Sequence, residues 1–159
     1  MSVETTTSTK EGLTCVSIAN SYVEKISRFS LAFDDYTVAN AAQPRMTVSS
    51  DSSSKLSLLS STLGPESGET SQLLYDDIDD YNGLDTMVVV SGMGNFHVVC
   101  SVNYFDPAAN ATTASKTWFK QVSVTVTDTI PGSTTHLFQF NGVQATIQRK
   151  AVIGYYHFI

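Results

Sequence analysis

The chain has 159 residues, 42% of them hydrophobic and 15% charged, with a net charge of −6 at pH 7. That length suits one domain, and so much apolar material with so little charge argues against a disordered chain. The negative balance repels a phosphate backbone, and two cysteines are too few for a disulfide-dense scaffold or a four-cysteine zinc centre, so nucleic-acid binding and both of those classes fall away.

Residues 1–12, beginning MSVETTTSTK, have no basic leader, no apolar stretch and no periodicity. They are expected to be an unstructured or non-native tail. The longest aliphatic run, Met87 to Val90, is far short of the roughly 20 residues that cross a bilayer. Either the protein is cytosolic as it stands, or a targeting segment has been removed ahead of Met1.

From Leu13 the spacing turns helical. Cys15, Val16, Ile18, Ala19, Tyr22, Val23, Ile26, Phe29 and Phe33 share one face, while Ser17, Asn20, Ser21, Glu24, Ser27 and Arg28 share the other. This predicts one amphipathic helix over 13–33, about 30 Å long at 1.5 Å per residue, with Glu24 and Arg28 as an i,i+4 pair. Asp34-Asp35-Tyr36 is expected to end it, and Pro44 blocks its continuation. Residues 34–83 read as a long loop region. Leu56, Leu58 and Leu59 are the apolar anchors of its serine-rich stretch, and one short strand is expected near Met46–Val48.

Residues 84–159 read as β-sheet. Met87–Val90 leads into the turn Gly92-Met93-Gly94-Asn95. Phe96, Val98, Cys100, Val102 and Tyr104 then alternate with more polar neighbours, as do Trp118, Lys120, Val122, Val124 and Val126. Leu137–Phe140, Ala145–Ile147 and Val152–Phe158 supply two or three more strands, with Asn141-Gly142 a tight turn. One helix followed by strands on short loops predicts an α+β domain, the helix lying on one face of an antiparallel sheet.

The most unusual segment is Tyr75-Asp76-Asp77-Ile78-Asp79-Asp80-Tyr81-Asn82-Gly83, with four carboxylates in five residues. A cation would relieve their repulsion, and hard oxygen ligands suit Ca²⁺, which makes Asp76, Asp77, Asp79 and Asp80 candidate ligands. The register of a Ca²⁺ hand fails, because Gly83 at the sixth place would put Ile78 first and Val89 twelfth. The favoured alternative is structural: a solvated turn or short helix start over Asp76, Asp77, Asp79, Asp80, Tyr81, Asn82 and Gly83. There Asp caps free amides and Asn82-Gly83 supplies positive φ. Apart from that Ca²⁺ option, no cofactor is expected.

Candidate chemistry elsewhere is sparse. His97, His136 and His157 each lack a second ligand at metal spacing and read as solvated or packed. No nucleophile elbow, phosphate loop or H-E-x-x-H occurs, so no enzyme is expected. Cys15 and Cys100 both fall between helix and sheet, where two buried free thiols are favoured over a Cys15–Cys100 disulfide. Trp118 and Tyr155-Tyr156 would suit a sugar-binding surface, but aromatic residues on strands more often pack. Asn110-Ala111-Thr112 fits a glycosylation acceptor only at chance level.

The segment DDIDDYNGL, preceded by LGPESGE, resembles the minor pilins of bacterial type IV pili, and most of all the prepilin-like proteins of the mannose-sensitive haemagglutinin pilus. The likeness covers residues 18–140. It takes in the helix IANSYVEKI, the Phe33-Asp34 step, an acidic D-D-x-D-D-[FY]-[HN]-G element, and the strands GNFHVVCSVNYF and WFKQVSVTVT. It implies a pilin-like fold and a non-catalytic subunit of a type IV pilus or type II secretion-like filament. The partners would be other pilin or pseudopilin subunits, outside the inner membrane that anchors the subunit before assembly. The cleavage motif and apolar half-helix of that family are not found before Leu13, so no processing or anchoring residue transfers, and Met1 reads as the start of a shortened soluble form. The alternative is a secreted β-rich binding module for carbohydrate or protein.

Overall fold

In a computed structural model, residues 2–28, 32–35, 56–129, 139–140, 143–144 and 146–155 are described. Phe29, the strand expected at Met46–Val48, the Asn141-Gly142 turn, His136, Tyr156 and His157 lie outside them. Helix α1 spans Ser2–Ile26. It therefore reaches back into the segment expected to be a tail, and it stops short of Phe33.

The apolar stripe of α1 is buried as its spacing predicts. Cys15, Ala19 and Ile26 are fully covered and Ile18, Tyr22 and Val23 pack beside them, while Ser17, Asn20, Ser21 and Glu24 face outward. Ser27 N–H closes the last turn on the Val23 carbonyl, and Lys25 lies favourably at the negative end of the helix dipole. Arg28 falls beyond the helix, so the i,i+4 relation with Glu24 is not realised. Phe33 is buried for a different reason: Ala32 pairs with Asp77 of the acidic turn in an isolated parallel bridge, and the Phe33 ring packs against Trp118 and Tyr155.

The strands are β1 (Asp85–Val90), β2 (Gly94–Asp106), β3 (Ala111–Thr113), β4 (Phe119–Thr129), β5 (Gln139–Phe140), β6 (Val143–Gln144) and β7 (Ile147–Gly154). They form an antiparallel sheet in the order β1-β2-β4-β7, with β3 added to the end of β2 and β5-β6 paired separately. The turn between β1 and β2 uses Gly92 at φ 77°, where a Cβ would be strained. The period-two reading of the central strands holds. Phe96, Val98, Cys100, Val102 and Tyr104 of β2 are buried, as are Val122, Val124 and Val126 of β4. Helix α1 covers this face by crossing β4 and β7. The fold is α+β, one N-terminal helix packed on an antiparallel sheet. No helix among the described residues is long and apolar enough to cross a membrane.

This arrangement makes the two sheet faces energetically unequal. Phe96→Ala should cost about 3–5 kcal/mol, because a large buried ring leaves a cavity. Val89→Ala, at a side chain 73% exposed on β1, should stay within about 0.5 kcal/mol. Urea unfolding midpoints of the two variants check this, and equal losses would contradict the assigned faces.

Candidate functional site

On β4 the inward-facing series begins with Lys120, whose side chain is fully buried. An ammonium group withdrawn from water is costly unless each N–H finds an acceptor. Its Nζ donates to the Phe33 carbonyl at 2.6 Å, to Asp79 Oδ1 at 2.7 Å and to Asp34 Oδ2 at 3.0 Å. The Phe33 ring lies 4.6 Å from the same nitrogen and the Tyr104 ring 5.6 Å away, adding cation–π attraction. Tyr104 is the register partner of Lys120 across β2 and β4, which places its phenol at this point. The phenol donates to the Ser60 carbonyl at 2.7 Å, while burial and the nearby Asp34 and Asp79 charges hold its pKa well above the ordinary tyrosine range. Asp34 also accepts from the Ser60 amide and hydroxyl, each at 3.1 Å.

The acidic segment is built around this lysine. Residues Asp79–Tyr81 form a short 3-10 helix, and Asp77 Oδ1 accepts from the amides of Asp79 at 2.8 Å and Asp80 at 3.3 Å. Asp80 Oδ2 answers by accepting from the amides of Asp76 at 2.8 Å and Asp77 at 3.0 Å. Two carboxylates thus satisfy four amides reciprocally, on the logic of a capping box. Asn82 bridges outward, donating to the Leu63 carbonyl and accepting from the Val102 amide, both at 2.9 Å. Gly83 at φ 81° then turns the chain so that its amide reaches the Cys100 carbonyl at 3.1 Å. Tyr81 is buried edge-on against Tyr75, with ring centroids 5.0 Å apart.

Asp capping and a positive φ at Gly83 are found as expected, but the expected solvation of the turn is not. Asp77, Asp79 and Asp80 are completely buried, and only Asp76 is exposed. The reason is Lys120, which pulls the turn onto the sheet, together with the amides that replace water around the other carboxylates. Burial and the adjacent Asp79 push the Asp77 carboxyl up to about 10. Lys120 was visible in the inward alternation of its strand, and a lysine in that register was the one signal pointing to a buried acidic partner.

The four aspartates do not gather as cation ligands. Asp79 is engaged by Lys120, Asp77 caps the turn, and Asp76 faces solvent. Among the described residues, the acidic oxygens that do converge belong to Glu66, Glu69 and Asp80, with one from each within 4.8 Å of the others. Burial, hydrogen-bonding contact with Glu69 and the neighbouring Asp35 and Asp80 carboxyls push Glu66 up to about 8.

Elsewhere the site residues resolve as packing. Cys15 and Cys100 are buried free thiols with no bridge between them. Burial, followed by the Asp128 and Glu11 charges, raises Cys15 to about 11, and burial raises Cys100 to about 12. Trp118 and Tyr155 pack on Phe33, with centroids 6.4 and 5.6 Å from its ring. His97 Nε2 meets Asp85 Oδ1 at 2.6 Å on the open face of the sheet. A wide depression of about 560 Å³ beside Tyr75, Leu84 and Asp85 is lined largely by hydroxyl and amide side chains.

Two consequences are measurable. Removing the charge of Lys120 with Lys120→Met should cost about 3–5 kcal/mol, since Asp34 and Asp79 are left buried without their cation. Adding Asp79→Asn should recover part of that loss, with a coupling of about 0.5–3 kcal/mol in a double-mutant cycle, whereas additive losses would deny the contact. At pH 8 both thiols should remain protonated and resist a disulfide reagent in the folded protein, then react fully in guanidinium. Rapid native labelling would contradict their burial. No known protein family, curated protein or solved structure matches this chain, so its function has to be inferred from this geometry.

Proposed function

We propose that the chain is the globular head of a minor pilin or pseudopilin-like subunit of a type IV pilus or type II secretion-like filament, acting by assembly and not by turnover. The observation that carries this reading is a single long helix laid by its apolar stripe on one antiparallel sheet. The opposite helix face, with Ser17, Asn20, Ser21 and Glu24 exposed, is left for lateral contact with neighbouring subunits. The acidic turn and Lys120 serve the head by fastening the post-helix segment and the 60–63 stretch to the sheet. On this reading the partners are other pilin-like subunits, and the head lies outside the inner membrane in the periplasm or on the cell surface.

The adhesive alternative draws less support. Of the aromatic residues it would use, Trp118 and Tyr155 are packed against Phe33. An epitope inserted in the exposed 107–110 turn provides the test. In the native host, immunogold labelling should decorate sheared filaments, and the tagged chain should co-sediment with them. A tagged chain found wholly as cytosolic or freely secreted monomer would sink the filament assignment.

A further inference from the structure

We infer that Glu66, Glu69 and Asp80 form a divalent-cation site that takes Ca²⁺. The inference stands apart from the filament reading and does not rest on it. One carboxylate oxygen from each residue lies within 4.8 Å of the others. Two ligands of one Ca²⁺, each bonded at roughly 2.3–2.6 Å, lie at most about 4.6–5.2 Å apart, so oxygens this close can share one such ion. Mg²⁺ demands a near-ideal octahedron and usually binds through one or two carboxylates with several waters, so three protein carboxylates suit Ca²⁺ better. All three donors are hard oxygens, which disfavours zinc or copper.

A second observation points to a ligand. Asp80 is completely buried, and while its Oδ2 accepts two amides, its Oδ1 has no hydrogen-bond partner. Glu66 Oε2 is likewise buried with no N–H or hydroxyl donor, and the side chains in contact with Glu66 include the acidic Glu69 and Asp80. An acceptor held out of water without a donor carries a desolvation cost that a coordinated cation removes. Among the described residues no Lys, Arg or His pairs with any of the three carboxylates, and Lys120 already has all three of its N–H groups engaged. The site joins two separate pieces of chain. Glu66 and Glu69 belong to one turn, closed by Glu69 N–H on the Glu66 carbonyl at 3.1 Å, and Asp80 sits in the 3-10 helix held down by Lys120. A bound ion would pin that turn to the head, with water completing the shell.

The test uses the whole chain after chelator treatment. CaCl₂ at a hundredfold excess over Kd should raise Tm by about 5–10 °C. An equal ionic strength of NaCl should not reproduce the rise, and MgCl₂ should give a smaller one. Asp80→Asn disturbs the turn itself, so the deciding variant is the double substitution E66Q/E69Q. It should fold with a Tm near that of the ion-free protein and lose the response. Tb³⁺ supplies an independent readout, because Tyr81 follows Asp80 directly in the 3-10 helix and Tyr75 packs on it with ring centroids 5.0 Å apart. Tyrosine-sensitised Tb³⁺ emission should appear in the parent chain and vanish in E66Q/E69Q. No Tm response at 10 mM Ca²⁺, an identical response to NaCl, or a full response in E66Q/E69Q would each overturn the site.

Discussion

A lysine ammonium in the interior must have acceptors on every side, and the half of this protein outside the sheet is organised by that demand. Lys120 is supplied by Asp34 and Asp79, which lie 86 and 41 residues away in sequence. Neither would stay buried alone. Because all three donors are used, the post-helix segment, the acidic turn and β4 have one mutual arrangement that gives the ammonium its full set of acceptors. A buried ion pair of this kind contributes little net stability compared with an apolar replacement, but breaking it is severe. Its effect here is to specify where the non-sheet chain docks, which the hydrophobic contacts of Leu59 and Ile78 alone would do less sharply.

The dense acidic run survives because its charges are separated by task. Asp79 faces a cation, Asp77 and Asp80 each collect two backbone amides, and Asp76 remains in water. Like-charge repulsion is thereby spread over different partners instead of concentrated at one point. The second oxygens of Asp77, Asp79 and Asp80 are left without a donor, and of these residues Asp80 is the one whose carboxylate also converges with Glu66 and Glu69. That convergence, and not the density of aspartates in the sequence, is what directs attention to a cation.

For the filament reading, these features divide the molecule into a rigid head and an available helix face. The buried stripe of α1 is consumed by β4 and β7, so assembly would use the polar side. The free thiols, the Trp118–Tyr155–Phe33 cluster and the Tyr75–Tyr81 pair all belong to the packing of the head. They account for most of the residues that looked chemically interesting in isolation.

The sequence by itself determined the elements whose signal is local. Alternation along β2 and β4 identified the buried faces, and helical spacing identified Cys15, Ala19 and Ile26, because side-chain direction follows backbone period wherever one face is covered. The helix end was beyond that reach. Phe33 kept the helical period while Ala32 was being paired with Asp77, a partner that no local pattern reveals. Only the tertiary structure decided that Lys120 meets Asp34 and Asp79, that three aspartates leave water, and that Glu66 and Glu69 approach Asp80. Those outcomes depend on charges brought together across long stretches of chain, and the energy of a charge is set by its surroundings, which exist only once the chain has folded.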